Sequence, residues 1–109
     1  MTPYPTGRGG RPDQKTRQLC AQVHDALSYA LGETVEEILL DVALERVEPM
    51  PDDRHVLVVV RDLRGHGLLA VLDALERARG FLRSSVAELV VRKRVPQLSF
   101  TVLPPGGAS

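Results

Sequence analysis

The segment His55 to Arg61 is so rich in valine that an extended conformation is strongly favoured. It follows the turn-forming residues Pro49 to Asp53, and the alternating residues Ile38 to Glu45 indicate another strand before that turn. We therefore predict an antiparallel hairpin of two strands. Because Val56 to Val60 leave neither face of the second strand polar, that strand should be covered on both faces or lie away from a free edge of the sheet.

Helical spacing of apolar residues precedes and follows this hairpin. The first helix is predicted to begin after Asp13, as its N-cap, and to end at Gly32, since glycine readily takes the left-handed conformation found at helix ends. A second helical pattern begins after the Gly65-His66-Gly67 segment. These two segments predict helices on either side of the hairpin in the chain.

The second helical pattern is interrupted at Gly80. Glycine in a helix interior costs about 1 kcal/mol, yet the pattern resumes at once with Phe81 and Leu82, which we predict to lie in the core. We therefore predict two helices that meet in a bend at Gly80. The second of them should end at Val95-Pro96, because the residue before a proline is pushed out of the helical region.

Leu98, Phe100 and Val102 alternate with polar residues and predict a short third strand. The element order is then helix, strand, strand, helix, bend, helix, strand, which indicates an α+β domain with the helices packed on one face of a three-stranded sheet. The pattern leaves open whether the third strand lies beside the first or the second. Residues 1–12 are predicted to be a disordered tail, 13–103 the domain, and 104–109 a flexible tail.

Length and composition favour one domain that remains in the cytoplasm. The 109 residues, 43% of them hydrophobic, suffice for a single core. The lone Cys20 cannot form an internal disulfide, which fits a reducing compartment and a packing role. An apolar run such as Val56 to Val60 is far shorter than the roughly 20 residues of a membrane-spanning helix, and the N-terminus has no apolar signal segment.

Charge is distributed unevenly although the formal net charge is zero. Residues 1–17 carry four basic residues and one acid, residues 33–53 carry eight acids and Arg46, and residues 76–94 carry six basic residues and two acids. Such a basic region favours an anionic partner, and the acidic region a basic one. Neither preference is apparent from the net charge.

Enzymatic function has little support in the sequence. His24, His55 and His66 are scattered and no pair has the spacing of metal ligands, while Gly65-x-Gly67 lacks the remaining residues of a phosphate-binding loop. We therefore expect no catalysis, no metal or other cofactor, and no small-molecule substrate.

The segment Ala78 to Phe100 reads ARGFLRSSVAELVVRKRVPQLSF, and it resembles the signature region of the ribosome-binding factor A family. Ala78-Arg79-Gly80 matches the motif at which two helices meet in that family, whose element order is that of the type II KH fold. Two departures are the replacement of a lysine-aspartate-proline-arginine run by Glu33 to Glu37 and a short C-terminus. The resemblance implies a monomeric assembly factor that binds the immature small ribosomal subunit and its 16S rRNA and assists late maturation and rRNA processing.

The residues around the predicted bend suit contact with RNA. Gly80 would let a sugar-phosphate backbone approach closely, and arginine side chains can hold phosphate through two hydrogen bonds. Asp73 and Arg77 are four residues apart and could instead form an exposed ion pair. The predicted RNA-binding residues are Arg77, Arg79, Gly80, Arg83, Arg92, Lys93 and Arg94.

An alternative function is a protein-interaction module. In that case the acidic residues 33–53 would bind a basic partner such as a ribosomal protein.

Overall fold

The computed structural model describes residues 14–52, 54–90 and 94–106. The predicted N-terminal tail, the Asp13 cap and the last three residues of the C-terminal tail lie outside these ranges. In chain order the elements are helix α1 (Gln14–Glu33), a 3-10 helix (Glu37–Asp41), strands β1 (Val42–Pro49) and β2 (His55–Asp62), helix α2 (Leu68–Leu89) and strand β3 (Gln97–Leu103).

The three strands form one sheet in the order β1-β2-β3. Strand β2 pairs antiparallel with β1, and β3 pairs parallel with β2. The valine-rich strand is therefore central, as predicted, and the position of β3, which the sequence left open, is beside β2. Because parallel neighbours need a crossover connection, α2 returns the chain from the end of β2 to the edge of the sheet where β2 began.

The core lies between the sheet and the two helices. Side chains alternate between the two faces along a strand, so Val56, Val58 and Val60 of β2 all point towards the core and pack with apolar residues of α1 and α2. Val59 faces the other side of the sheet, between Arg46 of β1 and Thr101 of β3, and is only 1% exposed. The α+β class and the placement of the helices on one face are confirmed.

The predicted start of the first strand is wrong. Residues Glu37 to Asp41 form a 3-10 helix, in which the Leu39 amide donates to the Glu36 carbonyl at 3.0 Å. Leu39 is buried in the core, whereas Leu40 is 55% exposed. Three consecutive apolar residues fit either conformation, and burial of Leu39 favours the tighter turn.

The predicted pair of helices on either side of Gly80 is also corrected. Residues Leu68 to Leu89 form one helix that continues through Gly80. Ala78, Leu82 and Val86 are spaced by four residues and all are buried, so packing of one continuous face outweighs the cost of a glycine in the helix.

The continuous helix also corrects two related predictions, the burial of Phe81 and the position of the helix end. Leu82 lies in the core as predicted, but Phe81 is 45% exposed, because a continuous helix turns it away from the buried face. The helix ends at Leu89, before the predicted Val95-Pro96: Val90 has extended dihedral angles of −99° and 113°. Its side chain is buried in the core, and this burial favours the early end of the helix.

Cys20 is buried, as predicted, and burial raises the pKa of its thiol, with a smaller contribution from Glu48. Neither helix in the described part of the chain has the length and apolar character needed to span a bilayer. Within the same residues, no cluster of three or more histidine, cysteine or acidic side chains could hold a metal ion.

Candidate nucleic-acid interface

Arg79 connects α2 to β3. Its guanidinium donates to both carboxylate oxygens of Glu76, at 2.9 and 2.8 Å, and to the carbonyl of Leu98 at 2.7 Å. It also lies over the ring of Phe100, 5.0 Å from the centroid. The bonds to Glu76 raise the pKa of Arg79 and lower that of Glu76. The side chain of Arg79 therefore links α2 to β3.

Arg77 connects α2 to the segment before the 3-10 helix. Its Nη2 donates to Glu36 at 2.8 Å and its Nε donates to the same carboxylate at 3.1 Å. A further hydrogen bond joins it to Asp73, so the ion pair considered from their spacing is present. The hydrogen bond with Glu36 raises the pKa of Arg77 and lowers that of Glu36.

Arg77 and Arg79 therefore do not present free guanidinium groups beside Gly80. Both are held by carboxylates within the domain, one of them 41 residues away along the chain. A phosphate could bind either guanidinium only by displacing a carboxylate or sharing the arginine with it. Contact between these two residues and RNA remains a prediction, and their observed role is to fix α2 against its neighbours.

Arg83 and Arg94 are different. Both are exposed, and neither has a hydrogen bond or an ion pair within the described ranges. Arg83 lies on the solvent side of α2, whereas Arg94 lies in the connection between α2 and β3 instead of on the predicted helix. Arg92 and Lys93 lie outside the described residues, so their contacts with RNA stay a prediction.

Gly80 leaves the surface of α2 open. It is exposed, and a Cβ atom built on it would meet nothing within 4 Å. Arg83, Ser84 and Ala87 follow it at helical spacing and are also exposed. A sugar-phosphate backbone could thus approach this face of α2 closely. The face belongs to one continuous helix and not to a junction between two helices.

Substitution of Gly80 by alanine tests this geometry. We expect Gly80→Ala to stabilise the domain by about 1 kcal/mol, because the site is helical and has open space for the methyl group. Urea denaturation of the two proteins measures the difference. A loss of stability would show that Gly80 occupies a conformation or a packed junction that alanine cannot adopt.

Most of the described carboxylates in the acidic region have a partner within the domain. Five of its described carboxylates contact cationic or histidine side chains: Glu36 with Arg77, Asp41 with His66 and Arg64, Glu45 with Arg61, Glu48 with Arg46, and Asp52 with His55. Hydrogen bonds to Arg77, Arg61 and His55 lower the pKa values of Glu36, Glu45 and Asp52 respectively. This pairing weakens the alternative that residues 33–53 form an acidic docking surface.

Sequence reasoning missed one exposed cation, Arg54. It lies in the turn between β1 and β2, and its guanidinium has no partner in the part of the chain that the structure describes. Its carbonyl accepts the amide of Gln97 at 2.7 Å, which brings it beside the start of β3. Only the pairing of β3 with β2 reveals this neighbour, and the sequence left that pairing open.

No protein-family model matches the chain. The ribosome-binding factor A of Paramagnetospirillum magneticum is 30% identical over 98 residues, covering 85% of this chain and 69% of that protein. The ribosome-binding factor A of Phenylobacterium zucineum is 29% identical over 104 residues, covering 88% and 72%. That of Beijerinckia indica is 27% identical over 97 residues, covering 85% and 69%.

Solved structures show the same fold. The crystal structure of ribosome-binding factor A from Thermus thermophilus superimposes with a TM-score of 0.69 at 28% identity, over 80% of this chain and 94% of that one. The solution structure of a candidate ribosome binding factor A from Thermotoga maritima gives 0.63 at 24% identity, over 85% and 91%. The second likeness concerns the fold alone.

Proposed function

Because the chain belongs to the ribosome-binding factor A family, we propose that it binds the immature small ribosomal subunit and its rRNA and assists late rRNA maturation without catalysing a reaction. The observation that carries this proposal is sequence similarity: a relative 30% identical over 98 residues is a ribosome-binding factor A. The same fold in the Thermus thermophilus protein supports it.

The described cations suggest how such binding would work. Arg83 and Arg94 are exposed and contact no carboxylate among the described residues, so each can donate to a phosphate without first breaking an ion pair described there. Gly80 leaves room for the RNA backbone on the same side of α2 as Arg83. The interface would therefore hold RNA mainly through its phosphates, and the shape of the folded rRNA in the subunit would supply selectivity.

Binding of this kind requires no reactive group in the protein. The domain would act by holding rRNA in one conformation, since anything that binds one state of a folding RNA more tightly shifts the population towards that state. We further propose that the protein acts as a monomer in the cytoplasm.

Sedimentation of tagged protein through a sucrose gradient tests the proposal. We expect it to migrate with free small subunits, because an assembly factor must leave before the subunit joins translation. Even distribution through the polysomes, or no ribosome association, would contradict the proposed function.

The variant Arg83→Glu/Arg94→Glu should weaken small-subunit binding by more than about 25-fold at 0.1 M monovalent salt. Each phosphate contact to single-stranded nucleic acid contributes about 0.7 to the log-log salt slope, or about fivefold between 1 M and 0.1 M salt. Reversing the charges adds repulsion to the loss of two contacts. Arg64→Glu is the control for a charge reversal outside the proposed interface, although it reverses one charge instead of two: Arg64 is also exposed, but it contacts Asp41 and lies in the loop between β2 and α2. Equal affinities of the two variants would favour a protein-interaction module.

A further inference from the structure

In the described part of the turn between β1 and β2, the carboxylate of Asp52 is engaged in local contacts and the guanidinium of Arg54 has no partner. The Asp52 carboxylate accepts the backbone amide of Arg54 at 2.8 Å and contacts Nδ1 of His55 at 3.0 Å. These bonds lower the pKa of Asp52, with the His55 bond as the largest cause. The local carboxylate is thus directed at the backbone and at the histidine, and the guanidinium of Arg54 stays exposed without a described partner.

The parallel pairing of β2 and β3 brings a second free cation to the same place. His55 and Gln97 are paired at the start of the two strands, and the Gln97 amide donates to the Arg54 carbonyl at 2.7 Å. Arg94 precedes Gln97 by three residues, which span at most about 11 Å. Arg54 and Arg94 therefore lie at the same edge of the sheet, namely the end at which β2 and β3 begin, although 40 residues separate them in the sequence.

Helix α2 directs a third free cation towards this edge. The helix must return to the edge where β3 begins, because β3 is parallel to β2. Arg83 lies six residues before its last residue, about 9 Å along the axis. Of the carboxylates described near this edge, Glu48 is paired with Arg46, so Asp52 and Glu88 are the described acids that oppose the three cations.

The opposite edge of the domain has a different electrostatic character. There Arg61 and Arg77 are paired with Glu45 and Glu36, and Asp41 contacts both Arg64 and His66. Free positive charge is thus concentrated at the end where β2 and β3 begin.

We propose that Arg54 is an RNA-contacting residue and that Arg54, Arg94 and Arg83 each bind a phosphate of one RNA strand that crosses the edge of the sheet where β2 and β3 begin. This inference rests on the proposed function and deepens it, because it extends the interface from α2 to the hairpin turn. The ligand class is the sugar-phosphate backbone of single-stranded RNA, since the edge offers cations and few aromatic surfaces for stacking.

The test is the salt dependence of binding of the full chain to purified small ribosomal subunits. Arg54→Ala should lower the magnitude of the log-log slope by about 0.7 and weaken binding about fivefold at 0.1 M salt, as expected for one lost phosphate contact. Arg64→Ala, the control, should leave both values unchanged. Circular dichroism checks that both variants remain folded, which their exposed side chains favour.

The possible results separate the two proposals. If the wild-type chain binds and Arg54→Ala has the slope of Arg64→Ala, the inference about Arg54 is wrong and the proposed function stands. If the wild-type chain does not bind small subunits, both are wrong. If a photo-crosslinker on Arg54→Cys captures ribosomal proteins and no rRNA, the partner at this edge is a protein and the inference is overturned; the buried Cys20 is protected from the label.

Discussion

Asp62→Ala is expected to lower the melting temperature by on the order of 10 °C, the loss expected when several hydrogen bonds to a charged group disappear at once. Asp62 is only 2% exposed. Its carboxylate accepts the amides of Gly65, His66 and Gly67 at 2.9, 3.1 and 2.8 Å. Gly65 and Gly67 have φ angles of 76° and 104°, which residues other than glycine rarely adopt. The carboxylate therefore holds the loop that starts α2.

The same carboxylate predicts how stability depends on pH. Its backbone hydrogen bonds, that of Gly67 foremost, lower the pKa of Asp62 below the ordinary value of 3.8. A group with a lowered folded pKa stabilises the protein fully at pH values above its ordinary pKa, and this stabilisation is lost as the pH falls through the folded pKa. The melting temperature of the wild-type protein should thus fall more steeply on acidification below about pH 4 than that of Asp62→Asn.

Thermal melts followed by circular dichroism measure both effects. Asp73→Asn is the matched control, because Asp73 is an exposed acid whose ion pair with Arg77 should contribute little. If Asp62→Ala melted within about 2 °C of the wild-type protein at pH 7, the loop would not depend on this carboxylate.

Leu82→Ala should lower the free energy of unfolding by about 2–5 kcal/mol, while Phe81→Ala should lower it by less than about 1 kcal/mol. The two neighbours differ because α2 continues through Gly80 and carries Leu82, 1% exposed, into the core, whereas Phe81 is 45% exposed. A leucine-sized cavity is costly, and truncation of a half-exposed ring is not. Urea denaturation of both variants gives the comparison.

Each of these variants is the control for the other. A larger loss for Phe81→Ala would mean that the part of the helix after Gly80 is rotated about its axis, as an interrupted helix would allow. Equal losses would contradict the burial pattern on which the one-helix description depends.

Periodicity predicted those parts of the fold in which one face is buried. The stripe of Leu19, Val23 and Leu27 predicted α1, and the run of valines predicted a central strand. It could not predict the conformation of Ile38 to Asp41, because a short apolar run fits a strand and a 3-10 helix equally well. Gly80 led to the wrong prediction for a different reason: the intrinsic cost of glycine was visible, but the single continuous buried face formed by Ala78, Leu82 and Val86 was not.

The site was predictable only as a region rich in basic residues. Asp73 and Arg77 are four residues apart, so their ion pair could be considered from the sequence. The bond from Arg77 to Glu36 crosses 41 residues, and the bond from Arg79 to the Leu98 carbonyl depends on where β3 lies. Whether an arginine has a carboxylate or carbonyl partner therefore depends on the tertiary structure. For the same reason no pattern in the sequence indicated Arg54.

Directed cleavage of rRNA tests most directly whether this domain docks on small-subunit rRNA through its basic edge. An iron chelate attached to Arg94→Cys generates hydroxyl radicals that cut nearby RNA, while the native Cys20 is buried and escapes labelling. Bound to purified small subunits, the labelled protein is predicted to cut the rRNA at a few clustered positions. If it co-sedimented with the subunits but cut no rRNA above the level of unlabelled protein, docking of this edge on rRNA would be contradicted.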